Sequence, residues 1–164
     1  MQHIIDEARL VREEYGGRDV FDTAQNSGVK VWFRQLGSLK GFYLCENGVR
    51  YIIINEALDR SEKRVVCAHE LGHDRLHREL SAGGIRENTM LLSCDKTERE
   101  ANLFAAELLI SDEEILSELE YCRDIDMAAY ELGFPRELIS LKLELLNFAG
   151  GSFTVGETES CFLR

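Results

Sequence analysis

Along the chain the spacing of apolar positions changes twice. Between residues 4 and 15, "IIDEARLVREEY" places Ile4, Ile5, Ala8, Val11 and Tyr15 on one helical stripe, which Gly16 and Gly17 close. A second short helix is expected over 19–26, ending at "NSG". The period then becomes extended: "VKVWF" (29–33), "GFYLC" (41–45) and "VRYIIIN" (49–55) are rich in β-branched and aromatic residues, and the "ENG" at 46–48 signals a tight hairpin turn. From residue 61 the helical period returns. Ser61 can cap a helix to about Leu80, with Val65, Val66, His69, His73, Leu76 and Leu80 along one face.

After a loop over 81–94, Asp95 and Glu98 form a capping box for a helix over 96–110, and "SDEE" (111–114) offers another for a short helix to about Tyr121. "IDMAAYELG" and "PRELISLKLELLNFAGG" read as two further helices, with Gly133 as C-cap, Pro135 in the first turn and Gly150 as the stop. The order of elements is that of an α+β fold: a small, mainly antiparallel three-stranded sheet packed on the helix from Ser61, followed by a helical C-terminal part. One domain is expected over 1–151, with a flexible tail over 152–164.

Composition narrows the classes. The 164 residues suffice for one domain with a core, and 45% hydrophobic with 30% charged residues is ordinary for a soluble protein. No apolar run approaches the roughly 20 residues of a membrane span. The N-terminus turns acidic at once and lacks the order of a signal peptide, so a cytoplasmic protein is expected. Five cysteines at wide spacings, with no CxxC pair, read as reduced thiols, and Cys67 as a small buried hydrophobe. A formal charge of −11 disfavours direct binding of nucleic acid, because the field of the whole molecule repels phosphate.

The chemistry concentrates in "CAHELGHDRLH" (67–77), which holds three of the chain's four histidines. His69 and His73 are four apart, so on a helix they lie on one face about 6 Å from each other and can aim at one ion. Glu70 is rotated about 100° from His69, placed to reach a water on that ion without being its natural ligand. Zinc with three protein ligands lowers the pKa of its water to about 7, and a neighbouring carboxylate can take the proton, which makes Glu70 the candidate general base. His77 lies about 12 Å from His69 along a straight helix, too far to share the ion, and is read as a packing residue beside the site.

A third ligand must come from elsewhere. In "TEREANLFAAELLIS" (97–111), Ala101, Phe104, Ala105 and Leu108 mark a buried face, with Glu98 and Glu100 on its opposite edges. Periodicity leaves both carboxylates open.

Together "VVCAHELGHDRLH" and "EREANLFAAELLIS" resemble the two marks of the ImmA/IrrE family of metallopeptidases, an HELGH helix followed by an EANxFAxxLL helix. The resemblance covers residues 29–111 well and the ending more loosely. It implies zinc held by His69, His73 and Glu100, with Glu70 as base, and a gluzincin-like arrangement. Manganese or iron would also suit such ligands. By resemblance the substrate is a protein, a helix-turn-helix repressor of a mobile element or stress regulon, cut to release transcription. The family helix commonly ends in proline after "LL", where this chain has "LLIS".

An oxyanion stabiliser is expected among Tyr43, Tyr51 and Arg75, and "YIIIN" reads first as a buried core strand and second as an edge for an extended peptide. The alternative function is a non-catalytic metal-containing module that binds or senses a regulator. A DNA-reading helix pair over 127–146 is disfavoured by Glu131, Glu137 and Glu144, and by Lys142 at a position that should be apolar.

Overall fold

In a computed structural model of the chain, residues 1–78, 90–122 and 124–154 are described, the side chains of 90–95 and 122 excepted. The described residues form seven helices and one three-stranded sheet. Helix α1 (Gln2–Tyr15) buries the expected stripe of Ile4, Ile5, Ala8 and Val11. Helix α2 (Val20–Asn26) starts at Asp19, whose carboxylate accepts from the N–H groups of Phe21 and Asp22.

Strands β1 (Val29–Arg34), β2 (Gly41–Glu46) and β3 (Val49–Asn55) lie in the order β1-β3-β2. The hairpin forms as expected, with Asn47 and Gly48 both at positive φ, 50° and 77°, the backbone that an Asn-Gly turn requires. The sheet is mixed, not mainly antiparallel: β2 pairs antiparallel with β3, and β1 pairs parallel with it. The link over 35–40 carries the chain across to the far edge, so the hairpin returns β3 into the gap between the other two. Being central, β3 has both backbone edges paired and offers none to a peptide; the free edges belong to β1 and β2.

Helix α3 (Arg60–Leu76) carries the histidine motif. Its cap is Asp59, not Ser61: Asp59 accepts from the Glu62 N–H, and Glu62 accepts from the Asp59 N–H. Counting three residues on decides this, because Asp59 meets Glu62 whereas Ser61 meets Arg64. Ser61 instead donates to the Gly133 carbonyl. The helix ends at Leu76, and Leu80 lies outside the described residues.

Helix α4 (Met90–Leu109) begins six residues earlier than the pattern suggested. Asp95 is therefore interior to it and cannot be its cap. Of the loop expected over 81–94, residues 81–89 lie outside the described residues and 90–94 belong to α4.

Helix α5 (Asp112–Cys122) does open on the expected box, with Ser111 and Glu114 bonded reciprocally. Helices α6 (Ile125–Leu132) and α7 (Arg136–Phe148) meet at Gly133, which takes the left-handed conformation at φ 68°. Phe153, within the expected tail, is held by Asn147 through N–H to Oδ1 and Nδ2 to carbonyl bonds of 2.6 and 2.8 Å. The tail beyond it, 155–164, lies outside the described residues.

One continuous core joins these layers, with Phe104, Ile52, Ile54, Leu71, Leu138 and Ile139 among its fully buried side chains. Lys142 is as buried as any of them, its ammonium 2.6 Å from Glu107 and bonded also to Asp112. It cannot reach a phosphate, and this answers the charge at an apolar position. No helix among the described residues is long and apolar enough to cross a membrane.

Candidate metal centre

Helix α3 aims both motif imidazoles at one point. The Nε2 atoms of His69 and His73 are 3.1 Å apart, and Glu98 of α4 reaches them with Oε2 at 3.5 Å and Oε1 at 3.4 Å respectively. These three form the metal-capable cluster among the described residues. Ligands at about 2.0–2.1 Å from a tetrahedral zinc stand about 3.3 Å from one another, so the triangle has the right edge for that ion. Without a cation, two neutral imidazoles would turn lone pairs toward each other and toward a carboxylate. The donor set fits a divalent metal.

The tautomer of His69 agrees. Asn102 Oδ1 stands 2.7 Å from its Nδ1, and because that oxygen only accepts, Nδ1 carries the proton and Nε2 presents its lone pair. Glu98 and Asn102 are four apart on α4, so one face of this helix supplies both a carboxylate and the residue that orients an imidazole.

Glu100 is not in the cluster. Two residues on from Glu98 means a rotation of about 200°, and it faces the other way along the interface, 3.6 Å from His77 and 3.8 Å from Lys96. The packing phase of α4 thus places Glu98, and not Glu100 as the resemblance implied, beside the two histidines. Gly72 sets that phase. A Cβ there would lie 3.1 Å from the Ala101 Cα and 3.2 Å from the Phe104 ring, so the glycine admits the backbone of α4.

Glu70 is buried beside the pair. Burial pushes its pKa up to about 7 against the pull of His73, Glu98 adds to the rise, and a bond from the Tyr43 backbone N–H opposes it. A carboxylate poised near neutrality suits a group that must take and return a proton. The N–H of Asn55 donates to Lys40, and alternation along the ladder then turns the Tyr43 peptide away from β3, toward the free edge of β2 and Glu70. Burial works against ionised Glu98, but the neighbouring imidazoles of His69 and His73 outweigh this and hold it well below the usual carboxylate range.

Of the three candidate oxyanion donors, Tyr43 is nearest, yet its hydroxyl donates to Asp74 Oδ1 at 2.8 Å. Arg75 is spent on Glu7 at 2.6 Å, and Tyr51 lies on the other face of the sheet, beside Trp32 and under Lys30. Cys67 is fully buried, as expected of a small hydrophobe, and burial raises its thiol pKa.

Two residues escaped the sequence reading. Asp74, fully buried next to His73, binds the Tyr43 hydroxyl and the Arg50 guanidinium, the latter at 2.7 Å, and so locks α3 to both β2 and β3. Its only signal was a carboxylate on the apolar side of the helix. Asn102 belongs to the second motif, and its spacing of four from Glu98 is the signal that puts both on one helix face.

The description of the IrrE N-terminal-like domain (Peptidase_M78) matches residues 24–144. The chain is 41% identical over 112 residues to "Uncharacterized immunity region protein 2" of Bacillus phage phi105, covering 67% of this chain and 70% of that one. It is also 29% identical over 140 residues to "Metallopeptidase ImmA" of Bacillus subtilis (strain 168), covering 84% of this chain and 76% of that one. The matched region runs through the sheet, both site helices and most of α7, and on that extent the chain belongs to the ImmA/IrrE family of metallopeptidases.

Proposed function

We propose that this chain is a zinc-dependent endopeptidase that cuts a helix-turn-helix repressor in the cytoplasm, with residues 1–151 as its catalytic domain. The observation that carries the reading is the convergence of His69 Nε2, His73 Nε2 and Glu98 on one point with buried Glu70 beside it. His69, His73 and Glu98 would hold the ion, which when bound supplies Lewis acidity and a water of lowered pKa.

The chain's own groups do the rest. Glu70 takes the proton from the attacking water on its carboxylate and returns it to the departing amine, a role its pKa of about 7 supports. Asn102 keeps His69 in the tautomer that points Nε2 inward. The free edge of β2 runs past Glu70 through Tyr43, so an extended peptide pairing with this strand would bring its backbone alongside the base. The edge role weighed for 51–55 passes to 41–46.

A repressor substrate is supported by the immunity-region name of the phage relative and the metallopeptidase name of the bacterial one. The chain's charge of −11 favours approach of a basic DNA-binding protein.

The test compares wild type with Glu70→Gln for bound zinc and for cleavage of the helix-turn-helix regulator encoded beside the gene. We expect about one tightly held zinc in both, and cleavage lower by about 10²–10⁴-fold in the variant. Zinc in both with cleavage in neither would overturn the peptidase reading and favour a module that binds its regulator without turnover.

A further inference from the structure

His77 stands one helical turn beyond His73, its ring 5.7 Å from the His73 ring between centroids. Its side chain is 91% buried by its 9% relative exposure, and one of its nitrogens, Nε2, has no hydrogen-bond partner among the described residues. The other nitrogen is bonded to the Thr97 backbone, where the acceptor is the carbonyl, so the ring proton is on that side and the Nε2 lone pair is free.

What that lone pair faces is Glu100 Oε2, at 3.6 Å. Two acceptors aimed at each other in a buried space repel, and the separation is too long for a hydrogen bond. It matches two ligand atoms on one zinc, which stand about 3.3 to 3.6 Å apart for bond angles between tetrahedral and trigonal. The second oxygen, Oε1, is approached from solvent by Lys96 Nζ at 3.8 Å, whose side chain is 78% exposed. Oε2 is left to the inner side.

We propose that His77 and Glu100 form a second, weaker zinc site next to the His69–His73–Glu98 centre. With two protein ligands the ion would keep waters on its remaining positions, so it exchanges readily with the zinc in solution.

The experiment is a zinc titration of the full chain against a competing chromophoric chelator, for wild type, His77→Ala, Glu100→Gln and Lys96→Gln, with Glu98→Gln as the control that removes the main centre. Expected for wild type are two equivalents, one tight and one weak. His77→Ala and Glu100→Gln should each weaken only the weak equivalent, by more than the roughly 10–100-fold that losing a neighbouring hydrogen-bond partner costs a metal site. Lys96→Gln should strengthen it, a gain that a packing role for His77 would not produce. Glu98→Gln should weaken the tight equivalent alone, which tells failure of the main centre from failure of this one. Glu100→Gln is the arm to read if His77→Ala does not fold. A single equivalent in wild type, or a weak equivalent indifferent to both His77→Ala and Glu100→Gln, would overturn the proposal.

Discussion

At the scale of single residues, the chemistry rests on side chains that hold other side chains. Asn102 accepts the Nδ1 proton of His69. Asn102→Ala should leave the fold intact and weaken zinc binding about 10–100-fold in a chelator competition, because the imidazole loses its orientation and its tautomer. Asp74 carries a buried charge shared with Arg50 and Tyr43. Removing one member of such a pair strands the other, so Asp74→Ala should cost about 3–5 kcal/mol in urea unfolding. A loss below 1 kcal/mol would show that Arg50 finds water when Asp74 is gone. His69, His73 and Glu70 were legible in the sequence because their spacing is internal to one helix. Asp74 and Asn102 were not, since their partners come from a strand and from a second helix, 31 and 33 residues away.

At the scale of elements, the decisive quantity is how α4 is rotated against α3. The pattern of Ala101, Phe104, Ala105 and Leu108 identified the buried face of α4, and all four are buried. That face has Glu98 and Glu100 on its two flanks, and a wheel cannot say which flank lies over the histidines. The contact of Gly72 with Ala101 and Phe104 selects Glu98. Gly72→Ala should therefore act on the site through packing: the added methyl pushes α4 back, costs about 1–3 kcal/mol of stability, and weakens zinc binding as Glu98 and Asn102 withdraw together. Thermal unfolding and the same chelator competition, read side by side, check both parts. Normal zinc affinity in a destabilised variant would refute the link between phase and ligation. Local signals elsewhere were dependable where the motif closes on itself, as at Ser111–Glu114 and the Asn47–Gly48 turn, and misleading at Ser61, where Asp59 completes the better box.

At the scale of the whole molecule, charge buried between helices ties the C-terminal part to the rest. Lys142 of α7 meets Glu107 of α4 and Asp112 of α5, and Arg9 of α1 bonds both carboxylates. Burial works against ionised Asp112, but the bond to Lys142 outweighs it and holds the carboxyl below its usual value; Glu114 is likewise lowered by its bonds to Ser111. A carboxyl whose folded pKa is depressed binds fewer protons folded than unfolded, so its contribution is complete above about pH 4 and fades as pH falls further. For metal-free protein, urea unfolding from pH 7 down to 3 should show stability dropping below about pH 4, with a shallower drop in Asp112→Asn. Parallel curves for the two proteins would remove Asp112 from the account.

By itself the sequence determined what is local or periodic: the α+β order, the hairpin, the buried stripes, and the two histidines with their glutamate, because a helix or a tight turn places such residues by its own geometry. Only the tertiary structure decided the parallel pairing of β1 with β3, the placing of Glu98 rather than Glu100 beside the histidines, and the fate of Lys142. Each of these depends on how separately formed elements pack, and the strand order, the close approach at a glycine and the burial of a charge are settled by neighbours distant in the chain.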